Sequence, residues 1–266
     1  MDTRPGALPG LFIARRLFLV FGLLDDPIRR ISSMKAGTMK RSEINDIMQA
    51  ADDFIRSFGF ILPPFAYWSP AEMREKRNLI GGIVDARLGW DITDYGEGRF
   101  DELGLFLFTV RNGSQDDLMR GGGMCYAEKI MISRKDQISP MHRHIVKAED
   151  IINRGGATLA LELFNSKEDG SVDEASDVTV ATDGMLRTQP AGAILRLEPG
   201  ESVTLMPGNW HAFWGEGGDV LIGEVSTVND DLTDNVFRDP IGRFSEIEED
   251  VEPLHLLVSD YENMVL

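Results

Sequence analysis

The chain has one cysteine, Cys125, in 266 residues. A disulfide framework is therefore excluded, and the single thiol fits a reducing compartment such as the cytoplasm. Its plainest role is a small apolar filler on a strand. No cluster of Lys and Arg is interleaved with aromatic residues, and acidic side chains outnumber basic ones by 44 to 27, giving a net charge of −17. That balance speaks against a nucleic-acid partner or an anionic membrane surface. The apolar runs are too short to span a bilayer. There is no low-complexity tract, no glycine-rich phosphate loop and no clear internal repeat. What remains is a chain long enough to bury one substantial core.

Histidine is also scarce, and its placement is informative. Of four histidines, three fall in two short motifs: His142 and His144 in MHRHIVKAED, and His211 in MPGNWHAFWG. Residues two apart on a strand face the same way, so His142 and His144 can share one ion. Glu149 follows after four residues, enough for the chain to bend and return a carboxylate. His211 would arrive from a distant strand as a third imidazole. Three nitrogens and one carboxylate suit a divalent transition metal, whether manganese, iron, cobalt, nickel or zinc, with positions left open for water or substrate. A chance HxH pair on a solvated strand is the dull alternative, but with so few histidines it explains the whole set poorly. His255, in EPLHLLVSD, has no such neighbours and reads as a structural strand histidine.

The first 38 residues read differently. ARRLFLVFGLLDD carries a basic pair and eight apolar residues, a pattern that resembles a twin-arginine export signal. No small-residue cleavage site follows, and charged sequence returns at once. We expect residues 1–38 to be an extension with little structure, with translation starting at Met34 or Met39. From Arg41 the apolar residues Ile44, Ile47, Met48, Ala51, Phe54, Ile55 and Phe58 recur at helical spacing, with Gly59 as the stop. A second helix is expected from Pro70 to about Asn78. Its start is marked by Ser69 as N-cap, Pro70 at the first helical position and Glu72 completing a capping box. Between them, FILPPFAYWSP is an extended aromatic connection.

Beyond about Leu103 short apolar strands alternate with glycine and acidic turns. The readings are 105–112, 124–133, 157–165, VTVAT, AILRL, SVTLM, HAFW and 219–228. The polar segment SKEDGSVDEASD is a hairpin tip. We expect an all-β sandwich or barrel over residues 101–266, with residues 39–100 as a helical segment packed on it.

HRHIVKAEDIINRGG, with Gly156, and PGESVTLMPGNWHAFWG, with Gly200, Pro207, Gly208 and His211, resemble the two motifs of the cupin superfamily. The usual glycine before the histidines is replaced by the polar turn Asp136 to Pro140. With its flanks included, the chain from about Met39 onward resembles the D-lyxose isomerase family. Those flanks are MKRSEINDIMQAADDFIRSFGFILPPFAYWSP, CYAEKIMIS, the motif containing Lys147, GEVSTVNDDLTDN and PIGRFSEIEEDVEP. The resemblance implies a cupin jelly-roll barrel and a homodimer. It also implies a manganese-dependent aldose-ketose isomerase acting on D-lyxose and D-xylulose, and often on mannose and fructose.

Isomerisation needs a base that moves a proton between C1 and C2, and groups that stabilise the charge that develops. Lys129 alternates in CYAEKIMIS with Cys125, Ala127 and Met131 on what reads as an inner face, so it is the candidate cation. A lysine at a strand end reaching water is the alternative. For the carboxylate, Glu224 alternates with Ile222 and Ser226 on an apolar strand. Glu248 sits in the acidic SEIEEDVE run, which also reads as a solvated edge. Glu162 is a further candidate that could instead pair with Arg196. Asp234 and Arg243 are candidate sugar contacts or turn residues. Rival functions remain at this point: a cupin oxygenase or decarboxylase, a non-catalytic sugar-binding sensor, and a phosphosugar isomerase using Arg143, Lys147 and Arg154.

Overall fold

The computed structural model describes residues 37–265. The expectation for residues 1–38 falls mostly outside the described residues, although Thr38 already belongs to a strand. Two 18-residue strands, Glu149–Ser166 and Trp210–Thr227, form the spine of the molecule. They pair antiparallel over nearly their whole length. Each then takes two further partners in succession. Glu149–Ser166 pairs with Ser202–Leu205 at its start and Ile194–Leu197 nearer its end. Trp210–Thr227 pairs with Ser139–His144 at its start and Tyr126–Ser133 at its end. Strands that change partners midway wrap an antiparallel sheet into a barrel, here of the cupin jelly-roll type.

The pairing shifts register between Glu216 and Val220 and again between Leu221 and Ile222. An irregularity of this kind re-aims the side chains that follow it. Odd-numbered His211 and Phe213 and even-numbered Glu224 consequently all line the same pocket. Gly156 pairs with Val220 at the shift. With φ at +100°, a Cβ there would lie 2.3 Å from the Asp219 carbonyl oxygen, so only glycine fits.

Helix Arg41–Ser57 covers the outside of the sheet. Ile44, Ile47, Met48 and Ile55 share one cluster with Phe106, Phe108, Ile130, Ile132 and Leu221. Each such burial contributes about 1.5–3 kcal/mol relative to exposure. The alternate residues Leu105, Leu107, Lys129 and Met131 line the pocket inside. Strands covered on both faces read as continuous apolar runs for this reason. The Ser69 capping box forms as expected, with Ser69 N bonded to Glu72 and Glu72 N to Ser69. That helix ends at Glu75, earlier than the sequence pattern predicts.

Residue 100 does not divide helices from sheet, because Gly89–Thr93 is already a strand paired with Leu105–Asn112. HAFW and residues 219–228 are parts of one strand. His255 lies in a bend instead of a strand, stacked on Trp90 with ring centroids 5.8 Å apart. Cys125 precedes its strand, with Sγ directed at the Asp117 carbonyl. Among the described residues no helix is long and apolar enough to cross a membrane.

Candidate active site

Strand Ser139–His144 carries the first two histidines, whose ring centroids lie 5.3 Å apart. His211 stands directly opposite His142 in the ladder, and their rings approach to 4.1 Å between centroids. The chain then turns through residues 145–148 and returns as strand Glu149–Ser166. Asp234 makes that turn. Its Oδ1 accepts the Ile145 and Val146 N–H groups at 2.9 and 2.7 Å, and its Oδ2 accepts the Lys147 N–H at 2.9 Å. The four-residue gap between His144 and Glu149 is thus a nest of backbone donors closed on one buried carboxylate.

The ligand nitrogens of His142, His144 and His211 lie within 4.8 Å of one another. Glu149 Oε1 is 3.4 Å from His144 Nε2 and 3.2 Å from His211 Nε2. The Nδ1 atoms of His142 and His211 face the Pro140 and Asn209 carbonyls, and His144 Nδ1 lies 3.7 Å from Asp234. For His142 and His211 the carbonyl acceptor fixes the tautomer that leaves Nε2 able to ligate, whereas His144 Nδ1 has no hydrogen-bond partner. Burial, reinforced by the other two histidines, pushes His142 well below its ordinary pKa, so the ring is neutral. Burial, with the charge of Lys147, lowers His144 as well. Glu149 goes the other way: burial would raise its carboxyl, but the Lys147 charge above all outweighs this and holds it ionised. Glu149 Oε1 and His211 Nε2 are buried without a hydrogen-bond partner. Leaving such atoms unsatisfied costs about 1–3 kcal/mol each. A divalent ion held by this donor set fits the arrangement.

From Glu149 a line of alternating buried charges crosses the pocket. Lys147 Nζ is 2.7 Å from Glu149 Oε2 and 2.9 Å from Glu224. Lys129 is 3.6 Å from both Glu224 and Asp231. Arg243 is 3.5 Å from Asp231 and 2.6 Å from Asp91. Burial would lower Lys147, yet Glu149 and Glu224 raise it overall. Burial would raise Glu224, and Lys129 and Lys147 outweigh it. Asp231 is likewise held far down against its burial by Lys129 and Arg243. Tyr95, pushed up to about 12 by burial, lines the same wall and hydrogen bonds with Ser139.

The structure brings His142, His144, Glu149, His211, Lys129, Glu224 and Arg243 into this one pocket. Glu248 does not join them. It is exposed on strand Glu246–Glu248, which pairs in parallel with Thr38–Lys40. Asp234 is not placed as a sugar contact, because both of its oxygens are occupied by the backbone of the turn. Arg196 pairs with Glu216 at 2.7 Å. Arg143 and Arg154 lie outside the pocket lining, whereas Lys147 is 3% exposed and at its centre. Asp231, Tyr95 and Asp91 carry no signal in the sequence reading, and Lys147 reads there as a phosphate contact or, equally well, an exposed charge. For Lys147 a signal existed, since it stands two residues before Glu149 and so shares its face in extended chain.

The sequence profile of the D-lyxose isomerase family matches residues 39–261. The D-lyxose/D-mannose isomerase of Serratia proteamaculans is 50% identical over 227 residues, spanning 84% of this chain and 98% of that protein. The protein of the same name from Escherichia coli O157:H7 is 47% identical over 223 residues, spanning 83% and 96%. Among solved structures, the L-ribose isomerase of Acinetobacter sp. DL28 in complex with L-ribose superposes with a TM-score of 0.54 at 14% identity. It covers 80% of this chain and all of its own. At that identity the likeness establishes the barrel and nothing finer. The profile match and the near-full-length relatives do more: this chain belongs to the D-lyxose isomerase family, and it is a sugar isomerase.

Proposed function

We propose that this isomerase interconverts D-lyxose and D-xylulose, and D-mannose and D-fructose, by moving a proton between C2 and C1 of the open-chain sugar. His142, His144, Glu149 and His211 would hold the divalent ion. When bound, that ion supplies Lewis-acid polarisation of the sugar oxygens. Glu224 is the proton carrier. It is buried, ionised, and the one carboxylate in the pocket that neither joins the histidine cluster nor touches Arg243. It takes the proton from one carbon and returns it to the next, while the hydroxyl proton passes from O2 to O1, so the reaction balances without any co-reactant. Lys129 and Lys147 flank it and donate hydrogen bonds where negative charge develops on oxygen. Arg243 Nη1 is buried without a partner and lines the pocket wall, which suits a sugar hydroxyl.

A free sugar suits the site better than a phosphosugar. Each of the three pocket cations, Lys129, Lys147 and Arg243, already faces two carboxylates. None is left over to receive a phosphate. The family resemblance extends the proposal to Mn²⁺ as the ion, a homodimer as the assembly and the cytoplasm as its compartment. The observation that carries the reading is the pair of unpartnered atoms, Glu149 Oε1 and His211 Nε2, beside an ionised Glu224. The test strips the protein of metal and assays it with D-lyxose, D-mannose and their phosphates while Mn²⁺, Co²⁺, Fe²⁺, Ni²⁺ or Zn²⁺ is restored in turn. We expect metal-dependent conversion of the free aldoses. Conversion of the phosphates alone, or of no sugar by metal-loaded protein, would overturn the proposal.

A further inference from the structure

Asn229 follows the last residue of strand Trp210–Thr227 by two positions, where the chain leaves the sheet. The strand's hydrogen-bond ladder has ended, but Asn112 continues it with a side chain. Asn229 N donates to Asn112 Oδ1 at 2.9 Å, and Asn112 Nδ2 donates to the Asn229 carbonyl at 2.9 Å. Asn112 Nδ2 also reaches the Ala86 carbonyl at 3.2 Å. The backbone of Asn229 is held as a neighbouring strand would hold it.

The side chain so fixed faces the site. Lys129 Nζ donates to Asn229 Oδ1 at 2.6 Å, and Asn229 Nδ2 donates to Asp231 Oδ2 at 3.0 Å. An amide can accept from a cation and donate to an anion at the same time, through two atoms held in one plane. Aspartate could not donate to Asp231, and alanine could do neither. The contact distances then decide what the amide achieves. Lys129 stands 3.6 Å from Glu224 and 3.6 Å from Asp231, beyond hydrogen-bond reach of both. Charge-assisted bonds between such groups close to about 2.7–2.9 Å when nothing prevents it.

We propose that Asn229 is a positioning residue for the isomerisation: it holds the Lys129 ammonium clear of Glu224 and Asp231, so that Lys129 is free to meet substrate oxygen and Glu224 is free to carry the proton. The inference rests on the roles given to Lys129 and Glu224 in the proposed function. Without the amide, Lys129 collapses onto a carboxylate, a movement of about 1 Å, and misplacement on that scale costs up to about 100-fold in rate.

The experiment compares Asn229→Ala, Lys129→Met and the double variant as metal-loaded enzymes. It measures kcat, KM, thermal midpoint and metal content, with D-lyxose as substrate. For Asn229→Ala we expect kcat to fall by about 10- to 100-fold, with KM within about threefold and metal retained. Because Asn229 acts through Lys129, adding Asn229→Ala to Lys129→Met should cost nothing further, whereas a structural role would multiply the losses. A crystal structure of Asn229→Ala should show Nζ of Lys129 within hydrogen-bond distance of Glu224 or Asp231. Multiplying losses, an unmoved Nζ, or wild-type kcat in Asn229→Ala would each sink the positioning role. Wild-type kcat in Lys129→Met would sink it too, but by removing Lys129 from the mechanism first. Should Asn229→Ala not fold, Asn112→Ala, which releases the same amide from its anchor, is read by the same criteria.

Discussion

Among the described residues, two clusters of buried ion pairs stand apart, and only one of them is complete. At the start of the covering helix, Arg41 is fully buried and makes four hydrogen bonds. Two go to Glu249, at 2.8 and 2.6 Å, and two to Asp260, at 3.1 and 2.9 Å. Its guanidinium fork is matched by two carboxylates, and it ties the helix to the C-terminal tail. The pocket uses the same chemistry, with lysines and an arginine among carboxylates. There, however, Glu149 Oε1, His211 Nε2 and Arg243 Nη1 are left without hydrogen-bond partners around one cavity. Isolated unsatisfied atoms occur elsewhere, as on Arg99, but in the pocket they converge. Burying an ion is costly in either place. At the Arg41 clamp the chain supplies the partners itself; in the pocket the unpartnered atoms converge where the proposed ion and substrate would be held.

The comparison is broken most directly in the unfinished cluster. Glu224→Gln keeps the shape and removes the proton carrier, so kcat should fall by about 10²- to 10⁴-fold. Bound metal should be retained, because Glu224 is not among the ligands. Elemental analysis beside the rate measurement separates the two effects. Near-normal turnover would take Glu224 out of the role and leave Asp231 as the pocket's remaining non-ligand carboxylate.

In the finished cluster the same kind of change should strike stability instead. Arg41→Met leaves Asp260 buried and unpaired, while Glu249, 46% exposed on its side chain, returns to water. Removing one partner of a buried pair costs about 3–5 kcal/mol, and the half-exposed Glu249 places this case at the low end. Denaturant unfolding should show the loss, while kcat of the folded fraction at low temperature stays at the wild-type value. A drop in kcat with stability intact would mean that the clamp is coupled to the site.

Asp234 lies between the two cases, since all its donors come from the chain yet it shapes the metal turn. Asp234→Ala frees three N–H groups and removes the carboxylate beside His144 Nδ1. Loss of an outer partner of this kind lowers metal affinity by about 10- to 100-fold, or about 1.4–2.7 kcal/mol. A titration of stripped protein against Mn²⁺ measures it, and excess metal should restore most of the rate.

Local chemistry explains which parts were legible from sequence. Leu105–Asn112 and Val178–Thr182 are found where their short apolar runs place them, and the Ser69 capping box needs only four consecutive residues. The histidine motifs are short-range for the same reason. The bend in Trp210–Thr227 was not legible, because GEGGD reads as a turn between two strands. That segment is a register shift inside one strand, visible only once its partner is known. Lys147 looked like a loop charge, since its burial depends on Glu224, 77 residues away. Asp231 was hidden in the acidic run NDDLTDN, where composition predicts a solvated loop and tertiary pairing with Lys129 and Arg243 decides otherwise. Glu248 shows the reverse: the acidic run does lie at an exposed edge, as composition alone suggests.

The fourth histidine gives the mildest test of the same contrast. His255 has found its partners within the chain: its ring stacks on Trp90 at an interplanar angle of 8°, and its Nδ1 faces the Trp68 carbonyl at 3.1 Å. Burial lowers its pKa below the ordinary 6.5, and the carbonyl only partly offsets that. Above 6.5 the ring is neutral whether the chain is folded or not, and no penalty arises. As the pH falls below that value, the unfolded chain takes up a proton that the folded chain refuses, so stability drops until the folded pKa is reached. His255→Gln has nothing to titrate at this position. The stability difference between wild type and His255→Gln should therefore shrink as the pH is lowered from about 8 to about 5.5, with metal content unchanged throughout. A difference that stays constant across that range would show that His255 is as hydrated in the folded protein as in the unfolded chain. A loss of metal would place it with the other three histidines after all.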